Sequence, residues 1–409
     1  MEKNNVRNKI IALSGEPVSG KGTAVKNLIE QLEKVGYSKE QIHLESTGND
    51  FREYFNSIID LITNLKNKEV LKEIRKRKEL QSFFENEEHK KALAKTVANL
   101  MKENVDLSNF SIQDANNKEE FCGIRKIIDT LIDEGMKEKG KIINQEEHPD
   151  DIWIIDSRLA FNNIPEAFSV RLTADPEVAG KRLFNDNTRG KEDSQYENVE
   201  EAIKAREERK LGEQKRYLAR YGIDLEDEDN YDLIIDTSYA KPSDIATVIL
   251  SCEHNYENNL KFGKKWTSPG NLLPLQEERD TLANGQSGYN FEEIAKSIKD
   301  MGYLPNQLIG VVNVDGINYI VDGHHKNFAS AYLGNTLVPY EVLAQDDEKM
   351  PQNNNSARTE VDKLLTLKKL YGHEWMIKEG NNKFSYRTRF PEVINKLEKE
   401  RDKEQEETK

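Results

Sequence analysis

The residues best suited to chemistry in this sequence lie in a glycine-rich loop near its beginning. The loop lies within IIALSGEPVSGKGTAVKNLIEQL, residues 10–32. Its glycines would let backbone N–H groups turn inward around a polyphosphate at the N-terminus of a helix. Lys21 would reach the β- and γ-phosphates, and the Thr23 hydroxyl would ligate Mg²⁺. The predicted phosphate-binding residues are Gly15, Ser19, Gly20, Lys21, Gly22 and Thr23.

The elements around this loop are those that a phosphate-binding loop needs. Residues 10–13 form a short apolar run that is typical of a buried strand. After the loop, apolar residues recur at helical spacing until Gly36, which ends the helix. Glycine loops before helices also occur without a ligand. Here lysine, hydroxyl, strand and helix stand together, and that combination predicts a nucleotide-binding site.

Later apolar runs predict the rest of a sheet. They lie at residues 151–157, 167–174 and 231–238, and charged stretches with helical character separate them. Buried strands that alternate with helices are typical of an α/β fold with a parallel sheet. Residues 53–149 form a long, highly charged and largely helical insertion, whose segment LKEIRKRKELQ we interpret as a solvated helix surface rather than a basic binding face.

Two polar segments could complete a phosphoryl-transfer site. ESTGNDFRE, residues 45–53, is similar to the acceptor-phosphate segment of nucleoside monophosphate kinases, in which an arginine after Ser-Thr-Gly grips the substrate phosphate. Arg52 has that place. Asp156 ends a predicted strand, where a carboxylate can hold magnesium or its waters, and Arg158 lies beside it. Asp156 could instead cap the helix that follows.

A multi-part motif in the later strands and helices resembles the archaeal-type cytidylate kinases. Those kinases carry an Arg-Glu-x-Ser-Glu-x-x-Arg-Tyr run, then Tyr-Gly-Ile-Asp, then Tyr-Asp-Leu-Val-Ile-(Asp/Asn)-Thr. This chain has REERKLGEQKRYLARYGID and later YDLIIDTS. Arg209, Glu213, Arg216 and Tyr217 match the motif, whereas Lys210 and Gly212 replace its glutamate and serine. The resemblance spans roughly residues 9–250 and is broken by the insertion.

The resemblance implies a kinase that transfers the γ-phosphate of ATP, with Mg²⁺, to a pyrimidine nucleoside monophosphate, CMP or dCMP. It implies catalytic roles for Lys21, Arg158, Arg209 and Arg216. Transfer between two polyanions needs positive charge that closes over both nucleotides and excludes water. The arginines on predicted lid segments are Arg182, Arg189, Arg206, Arg209 and Arg216. Any of these could instead pair with nearby glutamates on the surface.

A second α/β unit is predicted after a polar linker at residues 251–268. FEEIAKSIKDMG predicts an amphipathic helix, and LIGVVNV and NYIVDG predict a β-hairpin around Asp315-Gly316. HHKNFASAYLG predicts a helix and LVPYEVL a strand. INYIVDGHHKNFASAYLG resembles the Asp-Gly-His-His-Arg segment of the ParB/sulfiredoxin-like fold, with the free serine kinases as the most similar subgroup. The resemblance covers about residues 266–343.

This second resemblance implies a smaller catalytic site that phosphorylates a small hydroxylated metabolite such as free serine, with ATP, ADP or CTP as the nucleotide. Gly323, His324, His325 and Lys326 would bind phosphate at a helix N-terminus. Asp322 would ligate magnesium or orient a hydroxyl. Glu277 is the candidate general base, although Gln276 competes for its place.

Other interpretations of this segment stay open. Asp322 could cap the helix while Gly323 makes the turn. Sulfiredoxin chemistry would need a Gly-Cys-His-Arg motif, and no cysteine lies near Asp322. The paired histidines lack a third metal ligand at useful spacing. The predicted domains are residues 1–250, the linker 251–268, the second module 269–345, and a C-terminal helix with a charged tail at 346–409.

Composition limits the function classes. The chain has 409 residues with 60 basic and 74 acidic side chains, and its net charge of −14 disfavours a general nucleic-acid binder. The two cysteines lie far apart, the start of the sequence is polar, and no apolar run reaches the length of a membrane span. We therefore expect a cytoplasmic protein. Oligomeric state does not follow from the sequence.

Three hypotheses follow. The first is a two-domain phosphotransferase. The second is a nucleotide-dependent regulatory protein whose ParB-like domain senses a cytidine nucleotide without catalysis. The third is a DNA-associated protein, which the acidic charge disfavours.

Overall fold

A computed structural model describes residues 8–65, 67–102, 119–145, 150–186, 196–274, 291–303, 307–314 and 316–345. The described residues fall into two compact units. The first is drawn from Met1–Lys21, Leu32–Val170 and Ala174–Tyr231, and the second from Gly22–Gln31, Arg171–Thr173 and Asp232–Lys409. Each unit combines strands and helices, so the α/β prediction is confirmed.

The glycine loop follows a strand of the sheet of the first unit. The strands of this sheet are β1 (Lys9–Gly15), β2 (Ile42–Ser46), β3 (Ile152–Asp156) and the first half of β4 (Phe168–Thr173). The spatial order is β2-β3-β1-β4. Both β1 and β2 pair with β3 in parallel. The buried apolar runs predict β1 and β3. β2 is half-buried and was not predicted. Ile11, Leu13, Ile154 and Ile155 are fully buried at the centre of this sheet.

Helices surround and extend this sheet. α1 (Lys21–Lys34) follows the loop after β1. The remaining helices of the first unit are α2 (Thr47–Thr63), α3 (Lys68–Ile74), α4 (Lys78–Glu85), α5 (Glu87–Lys102), α6 (Glu119–Gln145), α7 (Ala160–Asn163), α8 (Pro176–Asn185) and α9 (Val199–Tyr221).

The region predicted as an insertion has a core of its own. Helices α2 to α6 bury a cluster that includes Phe55, Ile58, Leu80, Phe83 and Ile128. The predicted helical character of this region is therefore confirmed for the residues that the structure describes. Polar and charged side chains stay at the helix surfaces because the apolar positions recur at helical spacing and face one another.

Helices α8 and α9 pack unusually closely. An ideal Cβ built on Gly180 of α8 would lie 2.2 Å from a side-chain carbon of Ile203 on α9. Any side chain at residue 180 would therefore push the two helices apart. This contact fixes the position of α9, which carries most of the arginines discussed below.

The second unit contains a longer sheet of mixed direction. Its strands are the end of β4, β5 (Leu233–Asp236), β6 (Lys265–Thr267), β7 (Leu272–Pro274), β8 (Ile309–Val314), β9 (Ile317–Asp322) and β10 (Val338–Gln345). The order is β4-β5-β6-β10-β8-β9-β7. The predicted hairpin is confirmed, because β8 and β9 pair in antiparallel fashion.

Three helices accompany this sheet in the described part of the second unit. They are α10 (Pro242–Glu257), α11 (Phe291–Met301) and α12 (His324–Leu333). Leu272, Ile309, Val311, Ile320 and Val338 form the core under them. The second unit is thus α/β, as predicted, while its family assignment stays a prediction.

The segment predicted as a linker, residues 251–268, contains regular secondary structure. It holds the last turns of α10 and the strand β6, which pairs with β5 and β10. Cys252 and Glu253 are buried. The polar composition of this segment suggested a linker for two reasons. β6 has only three residues, which is too short to show a periodic pattern. Glu253 is buried, but in the sequence a glutamate indicates an exposed position. The predicted helix at residues 361–377 and the charged tail lie outside the described residues.

Among the described helices, none combines the length and the apolar character that crossing a bilayer would require.

Candidate functional site

The glycine loop joins β1 to α1 as predicted. Gly20 adopts φ +79°, which is the left-handed conformation that favours glycine. Val18 also has positive φ, at +62°, an uncommon conformation for a β-branched residue. The Ser19 backbone N–H donates to the Glu16 carbonyl at 3.2 Å, and the Ser19 side chain is buried. The loop therefore wraps tightly before the helix begins, as phosphate binding would require.

Lys21 and Asp156 form an ion pair. Lys21 Nζ lies 2.5 Å from Asp156 Oδ1 at the end of β3. The other carboxylate oxygen of Asp156 accepts from Ser46 Oγ at 3.2 Å. Burial lowers the pKa of Lys21, and Arg158 adds to this effect, while Asp156 opposes it. Asp156 therefore orients the lysine, and its proposed role toward magnesium stays a prediction.

Glu213 brings two of the predicted arginines together. Its carboxylate lies 3.1 Å from Arg158 Nη2 and 3.2 Å from Arg209 Nε. Burial by itself would raise the pKa of Glu213, but Arg158, Arg209 and Arg216 together hold it below its ordinary value. Glu213 is thus an ionised carboxylate in a cationic cluster. The sequence motif matched Glu213 without assigning it a role, and the structure gives it one.

Arg125, which the sequence analysis missed, belongs to the same cluster. It lies on α6, and its guanidinium stacks 5.6 Å from the centroid of the Phe51 ring. Burial and the nearby Arg216 lower the pKa of Arg125. The Nε atoms of Arg125 and Arg216 are both buried without a hydrogen-bond partner among the described residues. Two half-buried arginines that each keep a buried Nε donor unused are arranged as an anion would require.

The signal for Arg125 was present but ambiguous. The residue lies in a charged helical stretch, where an arginine is ordinarily solvated. Only the packing of α6 against α9 distinguishes it from neighbours such as Lys126, which is exposed. Arg220 of α9 fixes that packing, because its Nη1 lies 3.2 Å from Asp129 Oδ2 and its Nη2 donates to the Lys126 carbonyl at 2.9 Å.

Arg52, the predicted arginine for the acceptor phosphate, lies in the second turn of α2. Its Nη1 donates to Asn49 Oδ1 at 2.9 Å, and the side chain is exposed. Ser46 occupies the N-cap position of α2, but its side chain makes no capping hydrogen bond. Its hydroxyl donates to Asp156 instead. The start of α2 therefore presents backbone donors and an exposed arginine together.

The predicted lid arginines separate into different groups. Arg182 of α8 approaches the loop, with Nη1 3.8 Å from the Cβ position of Gly20. Arg206 is only 1% exposed and contacts the Glu16 side chain. The prediction of a lid role for Arg206 is not supported by this placement, because a buried arginine cannot swing over a ligand. Arg189 lies outside the described residues.

Gly22 and Thr23 lie in the first turn of α1, where both are exposed. A hydroxyl there, with phosphate oxygens and waters, fits the oxygen ligands that Mg²⁺ prefers. No group of three or more His, Cys, Asp or Glu side chains suited to a metal ion occurs in the part of the chain that the structure describes.

The second predicted site lies where β9 ends and α12 begins. Gly323 is the N-cap residue, with φ +86°, and an added Cβ would lie 3.3 Å from the Ile309 backbone. Asp322 is exposed and makes no hydrogen bond to the α12 amides among the described residues. The interpretation of Asp322 as a simple helix cap is therefore not supported. β7 pairs with β9 in parallel, so both strands end at the same edge.

The histidines at this site differ from one another. His324 is buried, and burial together with His325 lowers its pKa to about 4, partly opposed by a hydrogen bond with the Ile320 backbone. His325 is half-buried, and burial lowers its pKa as well. Both imidazoles are therefore neutral at pH 7 and bring no charge to an anion. Lys326 is half-buried on the same helix turn, and Glu277 lies outside the described residues.

The low pKa of His324 predicts a pH dependence of stability. The folded pKa lies below the unfolded value of about 6.5, so the stabilising neutral form is fully present above pH 6.5. This contribution, of the order of 3 kcal/mol, is lost as the pH falls from about 6.5 toward 4. The urea midpoint of the wild-type chain should fall more steeply across this range than that of His324→Gln. The exposed His254→Gln variant is the control and should follow the wild type. Parallel curves for wild type and His324→Gln would contradict the assignment.

Comparison with known proteins agrees with the motifs in the first unit. Residues 59–239 match the model of the Cytidylate kinase-like family. The match begins inside the region predicted as an insertion and includes Arg125, Asp156, Arg158 and Glu213. The glycine loop lies outside it. The helical region is therefore part of what the chain shares with this family.

Individual relatives match over shorter stretches. The cytidylate kinase of Thermoplasma volcanium is 42% identical over 53 residues, which are 13% of this chain and 28% of that protein. The cytidylate kinase of Sulfolobus acidocaldarius is 33% identical over 100 residues, covering 24% of this chain and 50% of its own length.

A relative of another kind matches a longer stretch. The S-adenosylmethionine-dependent nucleotide dehydratase of Lacinutrix mariniflava is 30% identical over 163 residues, covering 38% of this chain and 31% of that protein. The chain thus spans half or less of the length of each of these three relatives. Within these limits, residues 59–239 are similar to the Cytidylate kinase-like family.

Proposed function

We propose that the first unit transfers the γ-phosphate of ATP to a pyrimidine nucleoside monophosphate, CMP or dCMP. The observation that carries this proposal is the convergence of cations in that unit. Lys21, Arg158, Arg209 and Arg216 are linked through Asp156 and Glu213, and Arg125 adjoins Arg216. The similarity of residues 59–239 to the cytidylate kinase-like family supports the same reaction.

The arrangement suits phosphoryl transfer, in which positioning and charge stabilisation do most of the catalytic work. Lys21 would bind the β- and γ-phosphates of the donor, and Asp156 holds its ammonium group in place beforehand. The Thr23 hydroxyl would help to hold Mg²⁺ with the nucleotide, and the ion would supply positive charge against the phosphates. Arg158 and Arg209, held by Glu213, would stabilise the equatorial oxygens of the transferred group.

The acceptor phosphate would lie between the arginines that have unused donors. Arg125 and Arg216 each keep a buried Nε without a partner among the described residues, and Arg52 is exposed at the start of α2. A phosphate dianion would satisfy these donors and offset the two effects that lower the pKa of Arg125, which are burial first and the nearby Arg216 second. The cytosine base follows only from the resemblance to cytidylate kinases.

Lys21→Ala should lower the turnover of ATP with CMP by a factor of about a thousand or more, because the donor phosphates lose their principal cation. A coupled assay of ADP release with CMP, dCMP, UMP and AMP as acceptors measures this. Lys26→Ala, an exposed lysine on the same helix, is the matched control and should retain activity. A Lys21→Ala variant with full activity would contradict the assignment of this loop as the ATP site of the kinase. Binding of ATP without turnover by the wild type would favour the regulatory alternative.

Arg125→Met should raise the KM for CMP by about tenfold or more, with little change in the KM for ATP, because the side chain is assigned to the acceptor phosphate. Lys126→Met is the neighbouring control on the exposed face of α6. Equal increases in both KM values would show instead that Arg125 holds the whole site together.

For the second unit we propose a separate site that phosphorylates a small hydroxylated metabolite such as free serine. The geometry that favours it is the turn at Gly323, which delivers exposed Asp322 to the N-terminus of α12 beside the end of β7. Asp322 would orient the acceptor hydroxyl or hold magnesium. The α12 amides and Lys326 would bind the phosphate, with ATP, ADP or CTP as donor.

Asp322→Asn should abolish phosphorylation of free serine while leaving CMP kinase activity unchanged, because the two sites are assigned separate chemistries. Transfer of label from γ-³²P-ATP to a panel of hydroxylated metabolites measures this, and Asp300→Asn on the exposed face of α11 is the control. If the wild type labels no metabolite and binds no ATP, ADP or CTP through this unit, the second site is not catalytic.

A further inference from the structure

The phosphate loop contains a carboxylate. Glu16 directly follows Gly15, and its backbone carbonyl accepts the turn hydrogen bond from Ser19 within the loop. Its side chain is only 9% exposed, so solvent does little to screen it. A polyphosphate bound by this loop would meet an unfavourable negative charge unless that charge is compensated.

Two cations of α9 provide the compensation. Lys210 Nζ lies 2.8 Å from Glu16 Oε1, and Arg206 contacts Oε2. Burial would raise the pKa of Glu16, but Lys210 and Arg206 together lower it below the ordinary value. Glu16 is therefore ionised at neutral pH, and its charge is balanced by groups outside the loop.

The two cations differ in how they are held. Arg206 is almost fully buried, and it also donates to the Pro17 carbonyl at 3.2 Å and contacts Glu207. It is part of the packing between loop and helix. Lys210 is 24% exposed, and among the described residues its Nζ also lies 3.5 Å from Glu226 Oε2. Removing the Lys210 charge therefore leaves the Arg206 hydrogen bonds in place and makes the cluster around Glu16 more negative.

We propose that Lys210 acts as the charge-compensating residue of the phosphate loop: it neutralises Glu16 and thereby sets the affinity of the loop for a nucleoside triphosphate. This inference rests on the proposed binding of ATP by the first unit. It assigns a positioning role to Lys210, which does not itself contact the phosphates. It also explains why a lysine is suited to residue 210. A glutamate there, as in the motif described above, would place a second carboxylate against Glu16.

The test compares the affinity for ATP of the full-length wild type and three variants by calorimetry at low and high salt. Lys210→Met should raise the Kd about tenfold, and the effect should shrink at high salt. Lys210→Met combined with Glu16→Gln should restore the Kd to within about twofold of the wild type, because the charge to be compensated is gone. Lys204→Met, an exposed lysine of α9 that pairs with Glu208, is the control for general loss of positive charge.

The alternative is that the ion pair between Lys210 and Glu16 only holds α9 against the loop, and it predicts different Kd values. The double variant lacks the ion pair as much as Lys210→Met does, so a tether would not be rescued, and that result would overturn the proposal. An unchanged Kd in Lys210→Met would overturn it as well. A wild-type chain that binds no ATP would overturn the proposed nucleotide site itself, whereas wild-type binding with either negative result leaves that site intact. Thermal unfolding of each variant confirms that the fold persists.

Discussion

The structure of the first unit depends on holding several cations close together. Like charges at short range repel one another strongly when they are shielded from water. Buried or half-buried carboxylates offset this repulsion: Asp156 at Lys21, Glu213 at Arg158 and Arg209, and Glu16 at Lys210. Each carboxylate also fixes the orientation of the cation that it pairs with. The ion pairs that offset the repulsion therefore also hold the cationic side chains in one arrangement.

The helical region between β2 and β3 takes part in this arrangement. Its own apolar core holds α6 rigid, and Arg220 joins α6 to α9 through Asp129. These contacts place Arg125 next to Arg216. The match of residues 59–239 to one family agrees with a region that is integral to the first unit rather than an appended segment.

The proposed site of the second unit differs from that of the first unit, because its two histidines are neutral. Burial removes the charge of His324, so the start of α12 offers amide dipoles and neutral imidazoles. Gly323 is required there because its backbone turns sharply against Ile309. An anion at this proposed site would be bound by hydrogen bonds from these groups and by Lys326, whereas the first unit brings several cations together.

Local patterns in the sequence determined the glycine loop, most of the strands, the hairpin around Gly316 and the helix at residues 324–333, because apolar periodicity and glycine positions act over a few residues. They did not indicate the strands β2 and β7. The sequence also identified Lys21, Arg158, Arg209 and Arg216 as candidates. Only the tertiary structure distinguished Arg125 from a solvated arginine, buried Arg206 beneath the loop, and made β6 a strand within a predicted linker. These outcomes depend on contacts between residues far apart in the chain, which decide burial and pairing, and no local pattern records them.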